Sequence, residues 1–253
     1  NNIDITSTNS VKAFFDRNNF EWAILFSAYT DVDGAQKENK NQDGLCWKIN
    51  VDGAKNIVGA CKEKNKKLIL ISTDFVFDGE NGPYEEVEAS NQNTKKIGWY
   101  GYTKSLSEKE VSSLESSVIL RISYPYRANF EQKVDFAKNI LTKYKNGNLY
   151  PLFYDKQFTP TFTDDLAPAI NMLIETESSG IFHVASPEAT TPYDFGCTLI
   201  SKFGGDPKEV QKISIADFLK NTNATPRPQK GGLKSGKIQK IGFTPTSWKD
   251  GIN

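Results

Sequence analysis

The chain has 253 residues, with 31 basic against 31 acidic side chains, one His and three Cys. That length suits one large α/β domain or two small ones, and 38% hydrophobic with 25% charged residues excludes disorder, a collagen-like repeat and a disulfide scaffold. Zero formal net charge gives no global field for nucleic acid or an anionic membrane, so a small molecule is the expected partner.

In chain order, residues 9–18 set Val11, Phe14 and Phe15 on one face after Ser/Thr/Asn capping candidates, which predicts a helix. The apolar run 22–28 (WAILFSA) predicts a strand buried on both faces. Residues 49–62 predict a helix with Val51, Ala54, Ile57, Val58 and Cys61 inward, followed by a buried strand at 68–72 (LILIS). A third unit follows, with a helix over 100–113 and a strand over 118–123 (VILRIS). Beyond residue 126 the regularity weakens: helices at 136–145, 165–175 and 191–203, an extended piece at 149–153 and a strand at 180–185. The Pro-, Gly- and Lys-rich stretch 221–240 predicts a loop lying over a surface. Alternating helices and strands predict an α/β fold, a Rossmann-like doubly wound parallel sheet.

Cys46, Cys61 and Cys197 are far apart and form no CxxC pair, so neither a disulfide framework nor a zinc site is implied and a reducing cytoplasm is expected. No apolar run approaches the roughly 20 residues that span a bilayer. The first residues also lack the basic and apolar regions of a secretory signal. Without an initial Met, the chain is expected to have lost its native N-terminus.

Ligands of such sheets bind beyond the carboxyl ends of the strands, which directs attention to Ala28-Tyr29-Thr30, Ser72-Thr73-Asp74 and Ser123-Tyr124-Pro125. In Tyr100-Gly-Tyr-Thr-Lys104 the i,i+4 spacing puts a phenol and an ammonium on one helix face. There the ammonium is expected to lower the phenol pKa, and such a phenol can pass a proton to a carbonyl oxygen. A surface Tyr stacked on a Lys stem satisfies the same spacing, so the context decides.

That context is ISTDFVFDG (71–79), then PYEE (83–86), then YGYTKSLSE (100–108), a series that resembles the extended short-chain dehydrogenase/reductase superfamily and within it the dTDP-4-dehydrorhamnose reductase family. The family patterns are STDYVFDG, PYxE and YGxxKxxxE. Residues 28–35 resemble its AYTxVDxAE segment, with Gln36 where an acid is usual, and Asn50, Val51 and Asn56 resemble its VN…NL helix. Asp155-Lys-Gln-Phe-Thr-Pro160-Thr161 is similar to DQxGxPT, Gly180-Ile-Phe-His183 to GxYH, and Pro226-Arg227-Pro228 to its RP element.

The resemblance implies a remainder of the dinucleotide-binding domain over 1–125 and a smaller α/β substrate domain over 126–253, with 155–185 returning to the first. It implies reduction of a nucleotide-diphosphate sugar ketone by NADP or NAD chemistry in a cytoplasmic homodimer. Tyr100 would donate the proton, Lys104 would lower its pKa and bind the nicotinamide ribose, and Thr73 would orient the ketone with Asp74 nearby. Asp4, Ile5, Ala28, Tyr29 and Thr30 would lie along the cofactor, and Tyr124 and Arg227 against the sugar and its diphosphate. Asp4 could instead cap the first helix. His183 reads as a structural imidazole.

Several positions depart from the pattern. Leu25-Phe26-Ser27 replaces Asn-Ala-Ala, Ser123-Tyr-Pro-Tyr-Arg127 replaces SWVYG, and Gln-Lys-Gly-Gly follows RP. No GxxGxxG or GxGxxG occurs, so the pyrophosphate loop and the residue selecting NAD over NADP are expected upstream of Asn1, leaving an unpaired sheet edge. The same family resembles the beta subunit of methionine adenosyltransferase, a noncatalytic regulator that also keeps Tyr and Lys. Epimerases and dehydratases of the superfamily are a further alternative.

Overall fold

The computed structural model describes residues 3–127, 134–220 and 224–253. In order these form α1 (Thr8–Arg17), β1 (Trp22–Leu25), α2 (Val32–Lys37), α3 (Leu45–Trp47), α4 (Gly53–Lys64), β2 (Lys67–Thr73), α5 (Thr94–Val111), β3 (Ser117–Ile122), α6 (Phe136–Lys145), β4 (Leu152–Phe153), α7 (Leu166–Glu175), β5 (Gly180–His183), α8 (Pro192–Lys202), β6 (Lys212–Ile213), α9 (Ile215–Leu219), α10 (Gly236–Lys240) and α11 (Trp248–Ile252). The main sheet runs β1-β2-β3-β5, every pair parallel, and β4 pairs with β6 separately.

Both faces of this sheet are covered, which is why β2 reads as a continuous apolar run. Leu68, Leu70 and Ile119 pack with Val11, Phe15, Ile57, Val58 and Val111 on the α1, α4 and α5 side. Ile69, Ile71, Val118 and Leu120 pack with Leu166, Ile170, Leu173 and Ile238 on the other. A third core joins α6, β4, α8 and α11 through Ile140, Leu152, Phe195, Leu199 and Trp248. Helix starts follow side-chain acceptors: Ser7 bonds Ser10 N at 3.3 Å, and Asp135 bonds Lys138 N at 2.9 Å.

Three expectations are corrected. The first strand stops at Leu25 and, among the described residues, pairs with β2 alone, so Ile24 is 41% and Phe26 56% exposed instead of buried on both faces. The helix predicted over 100–113 begins at Thr94 and kinks at Gly98, where φ 67° is open to glycine without strain. The stretch 221–240, of which 221–223 lie outside the described residues, is not all loop: α10 forms in it because Ile238 is fully buried against the sheet.

A buried ionic cluster ties α5 to three strands. Arg121 Nε and Nη2 donate to Glu108 Oε1 and Oε2 at 2.9 and 2.7 Å, and Ser72 Oγ donates to Glu108 Oε1 at 2.6 Å. Arg121 Nη1 lies 3.4 Å from His183 Nε2, while His183 Nδ1 lies 3.1 Å from the Lys234 carbonyl. A guanidinium has no acceptor, so Nε2 must accept and Nδ1 carries the proton. Burial, reinforced by Arg121, pushes His183 down to about 3.

Between that value and the reference of about 6.5, the unfolded chain binds a proton that the folded chain does not, so this contribution is full above about pH 6.5 and is lost as pH falls. His183→Gln is therefore expected to flatten the acid limb of stability by about 1.4 kcal/mol per pH unit. Urea unfolding of both proteins at pH 7 and 5 measures it, and parallel pH slopes would refute it.

Candidate active site

The carboxyl end of β2 brings Thr73 and Asp74 under α5, with Thr73 7% and Asp74 1% exposed. Helix α5 comes close because residue 101 is glycine: any Cβ there would collide with the Phe75 carbonyl oxygen. Just before it, Gln36 Oε1 accepts from Trp99 N at 3.0 Å and steadies the turn that starts the second half of α5. Tyr100 therefore faces the strand end, with its ring edge-on to Phe75 at 5.8 Å.

Burial raises the Tyr100 pKa above its ordinary value, hydrogen bonding with Thr73 pulls it back, and the Asp74 charge adds to the rise. The expected lowering by Lys104 is absent. Lys104 Nζ, 2% exposed, donates instead to the Ile71 carbonyl at 2.8 Å. Burial pulls that ammonium down to about 8, with Glu108 one turn along the helix favouring the charged form. Phenol and ammonium thus share one face as the spacing predicts, but the phenol stays firmly protonated.

Asn50 joins this group to the loop that follows β1. Its Oδ1 accepts from Tyr29 N at 2.8 Å and its Nδ2 donates to the Tyr29 carbonyl at 3.3 Å and to Thr103 Oγ1 at 3.0 Å. Tyr29 then packs with Phe75, Trp99 and Tyr100, beside half-buried Ala28 and exposed Thr30. Asp4 and Ile5 lie apart. The Asp4 carboxylate accepts from Thr6 N and Oγ1 at 2.9 and 2.7 Å, the Ile5 carbonyl accepts from Asn56, and the cap of α1 is Ser7. Their contacts lie with α1 and α4, apart from the Thr73–Tyr100–Lys104 group, while Tyr29, Tyr100 and Tyr124 gather around Phe75.

On the opposite wall, Ser123 Oγ donates to Asp74 Oδ2 at 2.8 Å, and burial raises the Asp74 pKa. Tyr124 follows with φ 42°, a left-handed conformation that is strained for a bulky residue. Its ring is tilted against Phe75 at 6.0 Å. Arg227 lies beside the Tyr124 hydroxyl and forms a two-pronged bond to Asp33 at 2.8 and 2.9 Å. It also lines a cleft of about 650 Å³ with Lys95, Lys96 and Lys230, in which Lys96 is paired with Glu80 at 2.6 Å.

Sequence reasoning passed over Lys156. It is 1% exposed, donates to the Tyr124 hydroxyl and lies 4.4 Å from the Tyr124 ring centre. The available signal was a Lys where the DQxGxPT pattern carries Gln.

The donor set can be tested against a nicotinamide dinucleotide. Lys104 spends one of three N–H donors on protein, the phenol is neutral, and Asn50 fixes backbone in the loop that follows β1, so the residues present fit the ribose and the reacting end of such a cofactor. Among the described residues no His/Cys/Asp/Glu group could hold a metal, and no helix is long and apolar enough to cross a membrane.

The family model described as RmlD substrate binding domain matches residues 1–253. A Haloferax volcanii protein named "Probable low-salt glycan biosynthesis reductase Agl14" is 32% identical over 229 residues, which is 89% of this chain and 73% of that protein. The dTDP-4-dehydrorhamnose reductase of Mycobacterium tuberculosis is 26% identical over 237 residues, 90% of this chain and 74% of that one. Among solved structures, dTDP-4-dehydrorhamnose reductase from Bacillus anthracis in complex with NADP superposes with a TM-score of 0.84 at 28% identity, covering 99% of this chain and 85% of that one.

Proposed function

The chain belongs to the RmlD substrate binding domain family, in the extended short-chain dehydrogenase/reductase superfamily, and from that premise we propose that it acts as an NAD(P)H-dependent reductase of a nucleotide-linked 4-keto-6-deoxy sugar. The observation that carries this reading is the burial of Thr73, Tyr100 and Lys104 together at the carboxyl end of β2. The related reductases named for dTDP sugars, one of them solved with NADP, support the same chemistry.

A reduced nicotinamide held by these residues would supply the hydride for C4 of the sugar. Thr73 and Tyr100 hydrogen-bond the ketone oxygen and orient it. As negative charge develops on that oxygen, the Tyr100 O–H donates its proton and the product alcohol forms. An alkoxide is far more basic than a phenolate, so a phenol held neutral by burial still transfers downhill. Lys104 keeps a positive charge near the resulting phenolate until solvent reprotonates it, and it contributes donors to the ribose. Tyr124 and Arg227 take the sugar and diphosphate side, since a guanidinium matches phosphate geometry.

The test is oxidation of NADPH or NADH by the full-length protein with dTDP-4-keto-6-deoxy-L-mannose, followed by absorbance. Turnover supports the proposal. Absence of turnover together with stable association with another enzyme overturns it in favour of a regulatory subunit. Cofactor that stays bound and oxidised through purification points to an epimerase or dehydratase instead.

A further inference from the structure

Lys156 is a cation whose neighbours in the chain are both held. The Asp155 carboxylate ahead of it accepts from Ser214 Oγ and Ile215 N at 2.6 and 2.7 Å. Gln157 behind it bonds the Gln229 carbonyl at 2.7 Å and accepts from Gly231 N at 3.0 Å. The side chain is thereby driven across the sugar wall, over the rings of Tyr124 and Phe75 at 4.4 and 5.8 Å, to reach the Tyr124 hydroxyl. Arg227 stands beside the same hydroxyl. Ammonium and guanidinium groups only donate, so both approach the lone-pair side of the phenol oxygen. The phenol hydrogen has no acceptor among the hydrogen bonds of the described residues.

We propose that Lys156 is a positioning residue of the sugar subsite: with Arg227 it occupies the acceptor side of the Tyr124 hydroxyl and commits the Tyr124 O–H to donate to an oxygen of the sugar. The inference rests on the reductase reading for the identity of the sugar, and on geometry alone for the hydroxyl. It also couples two departures from the family pattern, Tyr for Trp at 124 and Lys for Gln at 156, because the two side chains touch. A Trp offers no lone pair to an ammonium.

The arrangement is proton-dependent. Burial pushes Lys156 down to about 7, the Asp74 carboxylate resists that fall, and Arg227 assists it. Asp33 neutralises part of the Arg227 charge, and Tyr150 neighbours Tyr124. Once neutral, the Lys156 amine has a lone pair of its own, the Tyr124 O–H turns to donate to it, and the donor to the sugar is lost as pH rises through neutrality.

Lys156→Met and Tyr124→Phe are each expected to lower kcat/KM for dTDP-4-keto-6-deoxy-L-mannose about tenfold, the worth of roughly one hydrogen bond. The double variant should be no worse than either single one, with the KM for NADPH unchanged. The wild type should lose kcat/KM with rising pH near neutrality, and both variants should lack that limb. Independently of turnover, with 13Cζ-labelled tyrosine the Tyr124 resonance, identified by its loss in Tyr124→Phe, should shift with a midpoint near pH 7 and stop shifting in Lys156→Met. Additive losses, an unchanged pH limb in Lys156→Met, or an unaltered tyrosine titration each overturn the proposal. If no form oxidises NADPH, the reductase reading falls while the tyrosine titration still judges the Lys156 contact.

Discussion

Tyr100→Phe is expected to lower kcat for ketone reduction by about two to four orders of magnitude, the usual span for a positioned proton donor, with cofactor affinity unchanged. The ring stays where it is, because its edge-on contact with Phe75 at 5.8 Å and its burial on the inner face of α5 do not involve the hydroxyl. What disappears is the phenol proton that the reaction would transfer to the ketone oxygen. Thr73 still donates a hydrogen bond there, which is why a residual rate is expected instead of none. Stopped-flow absorbance of NADPH in a single turnover isolates the hydride step, and fluorescence titration reports cofactor binding separately. A variant with wild-type kcat would remove Tyr100 from the chemistry, and one that lost cofactor binding as well would assign it to the pocket wall.

Local patterns carried much of the fold, because period and capping are properties of neighbouring residues. Residues 136–145 form a helix with those bounds, since Asp135 caps it and Ile140 faces the third core. The LILI run of β2 announced a strand covered on both faces, which the two apolar clusters bear out. The misses are long-range. Ile238 was hidden in a Gly- and Lys-rich tail and forms a helix only because the sheet supplies an apolar face. The same WAIL run that reads as an interior strand is half exposed because, among the described residues, it has one neighbouring strand, a fact no local window contains.

The site shows the same division. An i,i+4 pair on a helix is legible, and Tyr100 and Lys104 do share a face. The partner of the ammonium was not, because Ile71 lies on a different element and offers its backbone carbonyl. Burial of the phenol likewise depends on Gly101 admitting the helix to contact with Phe75. Lys156 was least visible, as its meaning comes from the aromatic ring it crosses 32 residues away in sequence.

The largest stability effect is expected at Glu108. Glu108→Gln leaves Arg121 charged and 1% exposed without its carboxylate, and breaking such a buried pair from one side costs about 3–5 kcal/mol. Replacing both partners by apolar residues, as in Glu108→Leu with Arg121→Met, removes the stranded charge and is expected to recover most of that loss. Urea unfolding separates the two cases. Activity should separate differently, because Glu108 also favours the charged form of Lys104, whose ordinary value burial has already pulled down to about 8. Without the carboxylate the Lys104 ammonium gives up its proton at lower pH, so the alkaline fall in kcat begins earlier. That shift should persist in the stable double variant, since its restored packing returns no negative charge. A double variant with both wild-type stability and a wild-type alkaline limb would confine the Glu108–Arg121 pair to the core and leave Lys104 to be tuned by its burial alone.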